Sequence, residues 1–220
     1  QLVLHGGGNS SVKTLARDAA GVMREVICVK ASGADMADVE PEHLPALDLK
    51  RMRELRQRDK LPERELRGAQ RACLLDGGAD DPSVDAFLHA FLPQKFIAHC
   101  HANAVLSVTN QADGEVLSDT LFAGQVAVVP YTMSGLDLAR RASEAYEADP
   151  GCGGLILMHH GLVTFAEDAR GAYNAMVAIV SDAEEYITKS RQKVLPARTK
   201  GGFCPNLAEV APILRGALGR

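Results

Sequence analysis

An α/β layered domain is the fold class this sequence predicts, and three observations point to it. Strand-like runs ending near Val29, His101, Pro130 and Met158 alternate with segments whose apolar residues recur three and four apart. The 220 residues are 46% apolar and 24% charged, an ordinary globular balance with room for one large core. No repeat or low-complexity segment breaks the alternation, so residues 1–220 are expected to form a single domain.

Residues 2–4 read as a short strand or as a segment packing into Gly6-Gly7-Gly8-Asn9-Ser10-Ser11. That glycine run lets backbone approach a partner closely and turns N–H groups outward. Residues 25–29 are rich in β-branched side chains and read as a strand, followed by the turn Ala31-Ser32-Gly33. Residues 41–60 and 62–75 read as helices, with Pro62 suited to a helix start. The charged run from Lys50 to Lys60 is then a solvated helix face, because apolar residues interleave with its charges.

Residues 76–82 form a loop, and Ser83 is expected to cap a helix with Val84, Phe87, Leu88 and Phe91 on its apolar stripe. A strand over 96–101 follows, then a helical piece over 104–109, a β-rich run over 125–130 and a helix over 137–148. The pattern closes with a strand over 153–158, a long helix over 168–189 and a final helix over 207–218.

A net charge of -4 argues against a nucleic-acid backbone as partner. No run approaches the roughly 18 apolar residues of a membrane span, and no signal peptide is visible, although the chain opens on Gln1 rather than methionine. Cys28, Cys73, Cys100, Cys152 and Cys204 are odd in number and lack CxxC spacing. They fit reduced thiols in a cytoplasmic protein better than a disulfide framework.

Chemistry concentrates in the histidines. Phe96-Ile97-Ala98 ends in His99-Cys100-His101, and alternate strand residues share a face about 7 Å apart. Two imidazoles at a buried strand end are metal ligands or hydrogen-bonded core groups, because burying them unpaired is costly. His160 ends a second apolar run and precedes Gly161, and strand alternation lets only one of His159 and His160 face the pair. Three imidazoles from two strand ends would make an open zinc site. Alternation turns Cys100 away from both histidines, as a small buried residue. His5, His43 and His89 read as ordinary core or surface histidines. Asp85 at a helix start is a candidate ligand or proton carrier, or a charge stabilised by the helix dipole. The glycine run matches neither nucleotide-binding fingerprint. With Asn9, Ser10 and Lys13 it would suit a phosphate or carboxylate, or serve as a plain loop.

In order and spacing, GGGNSS (6–11), ASG (31–33), PSVD (82–85), HCH (99–101) and MHHGL (158–162) resemble the class II aldolase/adducin family. The stretches PSVDAFLHAFLPQKF and HANAVLSVTNQADGE are most similar to the aldolase half of bifunctional rhamnulose-1-phosphate aldolase/lactaldehyde dehydrogenases. No dehydrogenase fingerprint is present, so the resemblance implies an aldolase portion or a stand-alone relative.

The resemblance implies a central, largely antiparallel sheet flanked by helices in three α/β/α layers, assembled as a homotetramer with sites between protomers. The tail, residues 191–220, would pack on a neighbouring subunit, with Gly201 to Cys204 as a specificity element. His99, His101 and His160 match the family's zinc ligands. Gly8, Asn9, Ser32, Gly33 and Ser83 match its phosphate-binding positions.

The implied reaction is retro-aldol cleavage of a phosphorylated ketose of the rhamnulose or fuculose 1-phosphate type, giving dihydroxyacetone phosphate and a short aldehyde. Zinc would act as Lewis acid, and Asp85 would move the proton. A sugar-phosphate epimerase or dehydratase, or a non-catalytic adducin-type interaction domain, are the alternatives. Three departures stand out: Asp85 replaces the aldolase glutamate, Val84 stands where a serine is common, and no residue clearly matches the tyrosine that serves the leaving aldehyde. Tyr131 stays unassigned.

Overall fold

The computed structural model describes residues 2–3, 7–58, 61–190, 210–212 and 215. Among these the strands are β1 (Asn9–Arg17), β2 (Met23–Val29), β3 (Ala46–Asp48), β4 (Phe96–Cys100), β5 (Val126–Val129), β6 (Gly154–Leu157) and β7 (Gly161–Ala166). They form one seven-stranded sheet in the order β3-β2-β1-β4-β7-β6-β5. All neighbours are antiparallel except β5 and β6.

The helices are α1 (Leu49–Glu54), α2 (Glu63–Arg71), α3 (Ala86–Phe91), α4 (Asn103–Thr109), α5 (Gly114–Leu121), α6 (Leu136–Ala148) and α7 (Ala169–Ser190). The chain divides into a compact unit, Gln1–Lys189, and a second, Ser190–Arg220. In the second, residues 210–212 and 215 are helical, and the rest of the expected 207–218 helix lies outside the described residues.

Strand alternation divides the apolar side chains between two cores. Ile27, Val29, Ile97, Leu155 and Val163 face one way and pack with Met52, Leu66, Phe87, Leu88 and Leu138 of α1, α2, α3 and α6. Cys100, Ile156 and Leu162 face the other way, against Val105 and Val108 of α4 and Met176, Ile179 and Ala183 of α7. The sheet is therefore the middle of three layers. Each large apolar side chain buried in this way contributes about 2 kcal/mol.

Several segments differ from the sequence-based expectation. Residues 41–60 are not one helix: a 3₁₀ turn at Pro41–His43, strand β3, α1 and a second 3₁₀ turn at Leu55–Gln57 share them. Leu47 enters the core, and the Asp48 side chain accepts from Arg51 N at 3.0 Å, so α1 starts there. Residues 2 and 3 are not a strand but pack as the alternative reading has it, Val3 lying against Gly8, while Leu4 lies outside the described residues. The first strand is β1, in which polar Asn9, Ser10 and Ser11 already pair with β4. Strand β7 and helix α5 have no counterpart in that expectation.

Ser83 caps the turn entering α3 rather than the helix proper: its Oγ accepts from Asp85 N at 3.2 Å, and Asp85 holds the N-cap position. Val84 is exposed, off the apolar stripe. The described cysteines Cys28, Cys73, Cys100 and Cys152 are free thiols, and Cys204 lies outside the described residues. Among the described residues no helix is long and apolar enough to cross a membrane.

Candidate active site

Strand β4 carries Ile97 and His99 toward α3, and His101 continues that alternation just past the strand end. Cys100 turns into the opposite core, away from the two histidines, where burial pushes its thiol up to about 11. Asn9 lies directly across the ladder from His99 on one side, and Val163 on the other.

The third imidazole arrives from the β6–β7 hairpin, whose three connecting residues are Met158, His159 and His160. His159 adopts a left-handed backbone, φ 57°, and its Nδ1 lies 2.9 Å from Asn110 Oδ1. That reversal leaves His159 outside and brings His160 to the pair. Ring centroids lie 4.7 Å apart for His99–His101, 4.9 Å for His99–His160 and 5.0 Å for His101–His160.

Hairpin and β4 come this close because of Gly161, paired with Leu157 at the hairpin neck. A Cβ there would collide with the Cys100 carbonyl oxygen and sit 3.1 Å from His101 Cδ2. Gly161→Ala is expected to lower stability by about 3 kcal/mol and to weaken metal uptake with it. Urea unfolding and zinc titration of that variant check both.

The tautomer of His99 is fixed by its partner. Nδ1 lies 3.0 Å from the Leu162 carbonyl, which only accepts, so Nδ1 carries the proton and Nε2 keeps its lone pair. Burial pushes His99 down to about 4, against the opposing pull of Asp85, so the imidazole is neutral, as a ligand must be. Burial also lowers His160.

The Nε2 atoms of His99 and His101 are 2.8 Å apart, and one nitrogen from each of the three rings falls within 4.8 Å of the others. Zinc bonds of about 2.0–2.1 Å in a tetrahedron space ligand nitrogens by about 3.3 Å. The donor set therefore fits a divalent metal after small ring rotations.

Asp85 Oδ2 lies 3.8 Å from His99 Nε2 and accepts from Asn9 Nδ2 at 2.9 Å. Burial alone would favour the protonated acid. The His99 imidazole and the Asn9 hydrogen bond, helped by His160 and His89, outweigh it and hold the carboxyl below its usual value. Asn9 Nδ2 also donates to Ser83 Oγ at 3.0 Å. The amide expected at the anion site thus has both of its protons engaged within the protein, positioning Asp85 and Ser83.

The other expected anion residues converge through backbone bonds. Ser32 N donates to Asp81 O at 2.8 Å, Ala31 pairs with Pro82, and Ser83 N donates to Lys30 O at 3.2 Å. Ser32 and Gly33 are exposed, with Gly33 at φ 83°, while Gly8, Asn9 and Ser83 are buried. Gly8 has φ 67°, and a Cβ there would lie 2.8 Å from the His99 carbonyl oxygen, so it packs on β4 itself.

The sequence reading passed over a polar seam behind Asp85. Asn9, Ser11 and Lys13 alternate along β1 and address α3 in turn. Ser11 Oγ lies 2.7 Å from His89 Nδ1, and Lys13 Nζ donates to His89 O and Gln94 O at 2.9 and 2.7 Å. Burial, then Arg53, pushes Lys13 down to about 7, with Glu167 opposing. Lys30, also passed over, is fully buried and donates from Nζ to Ala31 O at 3.2 Å and Ala34 O at 2.6 Å, bracing the Ser32–Gly33 turn. Tyr131 stands exposed with its ring 5.9 Å from that of His159.

His89 is fully buried, and burial pushes it down to about 3 from 6.5, although Asp85 pulls the other way and His99 and Lys13 reinforce the shift. The unfolded chain then binds the extra proton below pH 6.5, so stability falls as the pH drops from there toward 3. The loss from this residue between pH 7 and pH 5 is expected to be about 2 kcal/mol. Urea unfolding at the two values should show it in wild type, and His89→Gln should remove that part of the slope.

The family model for the class II aldolase and adducin N-terminal domain matches residues 1–187. A Bacillus subtilis (strain 168) protein called "Uncharacterized oxidoreductase YuxG" is 31% identical over 223 residues, a match that takes in 97% of this chain and 32% of that protein. The chain thus spans about a third of that curated relative's length. The N-terminal class II aldolase domain of a conserved Thermoplasma acidophilum protein is 34% identical, with TM-score 0.79 over 84% of this chain and 85% of that one. A Thermotoga maritima sugar-phosphate aldolase shares the fold at 17% identity, TM-score 0.62, over 87% of this chain and 90% of that one. So does an L-fuculose-1-phosphate aldolase from Thermus thermophilus at 17% identity, TM-score 0.55, over 89% and 90%.

Proposed function

This chain belongs to the class II aldolase and adducin N-terminal domain family, and from that premise we propose a zinc-dependent aldehyde-lyase. The reaction is retro-aldol cleavage of a phosphorylated ketose to dihydroxyacetone phosphate and a short aldehyde. The observation that carries this reading is the convergence of His99, His101 and His160 beside the carboxylate of Asp85. A divalent metal held by these imidazoles supplies Lewis-acid stabilisation to negative charge developing on a substrate oxygen.

The chain's own residues do the rest. The Ser32 and Ser83 hydroxyls and the Gly33 N–H offer donors to the phosphate, beside the tightly packed Gly8. The Ser83 hydroxyl already accepts from Asn9 and from Asp85 N, so its own proton is directed outward. Asp85 Oδ2, held by Asn9, is the oxygen that exchanges a proton with substrate. Asn9 positions that carboxylate and Ser83 together, which links the phosphate end of the site to its proton-transfer end.

One second reading is a sugar-phosphate epimerase or dehydratase, because the same histidine cluster and phosphate-facing residues would support those reactions. The homotetramer belongs to the proposal too; the tail expected to pack on a neighbouring subunit lies almost wholly outside the described residues. Exposed Val84 next to Asp85, Tyr131 beside His159 and exposed Met133 give such an assembly apolar surface to cover.

A panel of ketose 1-phosphates followed by phosphorus NMR separates the readings. Appearance of dihydroxyacetone phosphate with an equal amount of free aldehyde supports the lyase. An isomeric or dehydrated sugar phosphate, with no triose phosphate, replaces it with the second reading.

A further inference from the structure

We propose that His89 is a positioning residue for Asp85, its Nε2–H joined through one buried water to the inner oxygen of that carboxylate. The inference rests on the reading of Asp85 as the proton-transfer group.

Asp85 and His89 stand four residues apart at the start of α3, where such side chains share a face with Cβ atoms about 5–6 Å apart. The two carboxylate oxygens have different surroundings. Oδ2 faces the site, between Asn9 and His99. Oδ1 points inward, buried and without a hydrogen-bond partner.

Two other atoms of the same seam share that condition, His89 Nε2 and Asn9 Oδ1. Leaving such groups unmatched costs about 1–3 kcal/mol each, so buried polar atoms are satisfied as a rule. Ser11 Oγ lies 2.7 Å from His89 Nδ1. In the proposed arrangement this hydroxyl donates to Nδ1, which leaves the ring proton on Nε2, facing the unmatched acceptors.

The seam then presents one donor and two acceptors. A single water accepts from Nε2–H and donates to Asp85 Oδ1 and Asn9 Oδ1, about the three bonds a buried water makes. Anchored from behind, the carboxylate holds its plane and keeps Oδ2 turned to the site. Ser11 and Asn9 supply the two ends of this arrangement from alternate positions of β1, so one strand sets both the tautomer of His89 and the aim of Asp85. His89 stays neutral over the working pH range, so it aims the carboxylate without exchanging protons itself.

The test uses metal-loaded wild type with Ser11→Ala, His89→Gln and His89→Phe. Nitrogen-15 NMR of the imidazoles should show His89 protonated at Nε2 in wild type, with that preference lost in Ser11→Ala. A high-resolution crystal structure should place a water between His89 Nε2 and Asp85 Oδ1. In kinetics, His89→Phe should lower kcat about 10- to 100-fold with little change in KM, and His89→Gln, which keeps an N–H donor, should recover most of it.

A wild-type ring protonated at Nδ1, or full kcat in His89→Phe, overturns the proposal. Should His89→Phe not fold, the tautomer and the Ser11→Ala and His89→Gln variants decide it. If wild type cleaves no ketose phosphate, the functional reading fails, while the tautomer and the water still judge His89.

Discussion

His101→Ala is expected to release the metal and to silence turnover while leaving the fold intact. His101 sits just beyond the end of β4, less buried than His99, so its removal opens no deep cavity. Replacing only the outer partners of metal ligands commonly costs 10- to 100-fold in affinity, so losing one of three ligands should exceed about 100-fold. Metal analysis after dialysis should find the variant near empty where wild type holds close to one ion per chain. Its metal-free unfolding should stay within about 1 kcal/mol of metal-free wild type. Undiminished metal in this variant would remove His101 from the ligand set.

Asp85→Ala is the second large effect, and it should separate chemistry from metal binding. General acid–base groups contribute about 10²–10⁴ in rate, so kcat should fall by that range with metal content unchanged. Asp85→Glu adds one carbon–carbon bond, about 1.5 Å. Oδ2 now sits 2.9 Å from Asn9 Nδ2 and 3.8 Å from His99 Nε2, and a longer side chain overshoots that fit. About a hundredfold loss is expected for glutamate, since misplacement on that scale has that cost. Steady-state kinetics of both variants on the best ketose phosphate measure these losses. Full activity in the alanine variant would assign the proton to another group.

Strand β4 was legible because an apolar run ending in two imidazoles at period two reads as a buried strand with both rings on one face. The same alternation turned Cys100 into the opposite core, as expected. Helices α6 and α7 were legible from apolar residues three and four apart. Strand β7 was hidden because Gly161 to Ala166 follows a three-residue hairpin with no proline or asparagine to mark the turn. His159 makes that reversal with a left-handed backbone, which sequence pattern does not announce.

Strand β1 was hidden for a different reason: the face it turns to α3 is polar. Asn9, Ser11 and Lys13 pack against polar atoms around α3, so the hydrophobic alternation that marks a strand is missing. Residue type and spacing marked Asn9 as a site residue, but only the fold shows its amide bonded to Ser83 and Asp85.

Triose phosphate release, followed on one preparation before chelation, after chelation and after zinc is restored, tests the central claim most directly. The account predicts release from a ketose 1-phosphate by zinc-loaded protein, its loss on chelation and its return with the metal. Release that survives complete metal removal, or none from any ketose 1-phosphate by zinc-loaded protein, would contradict it.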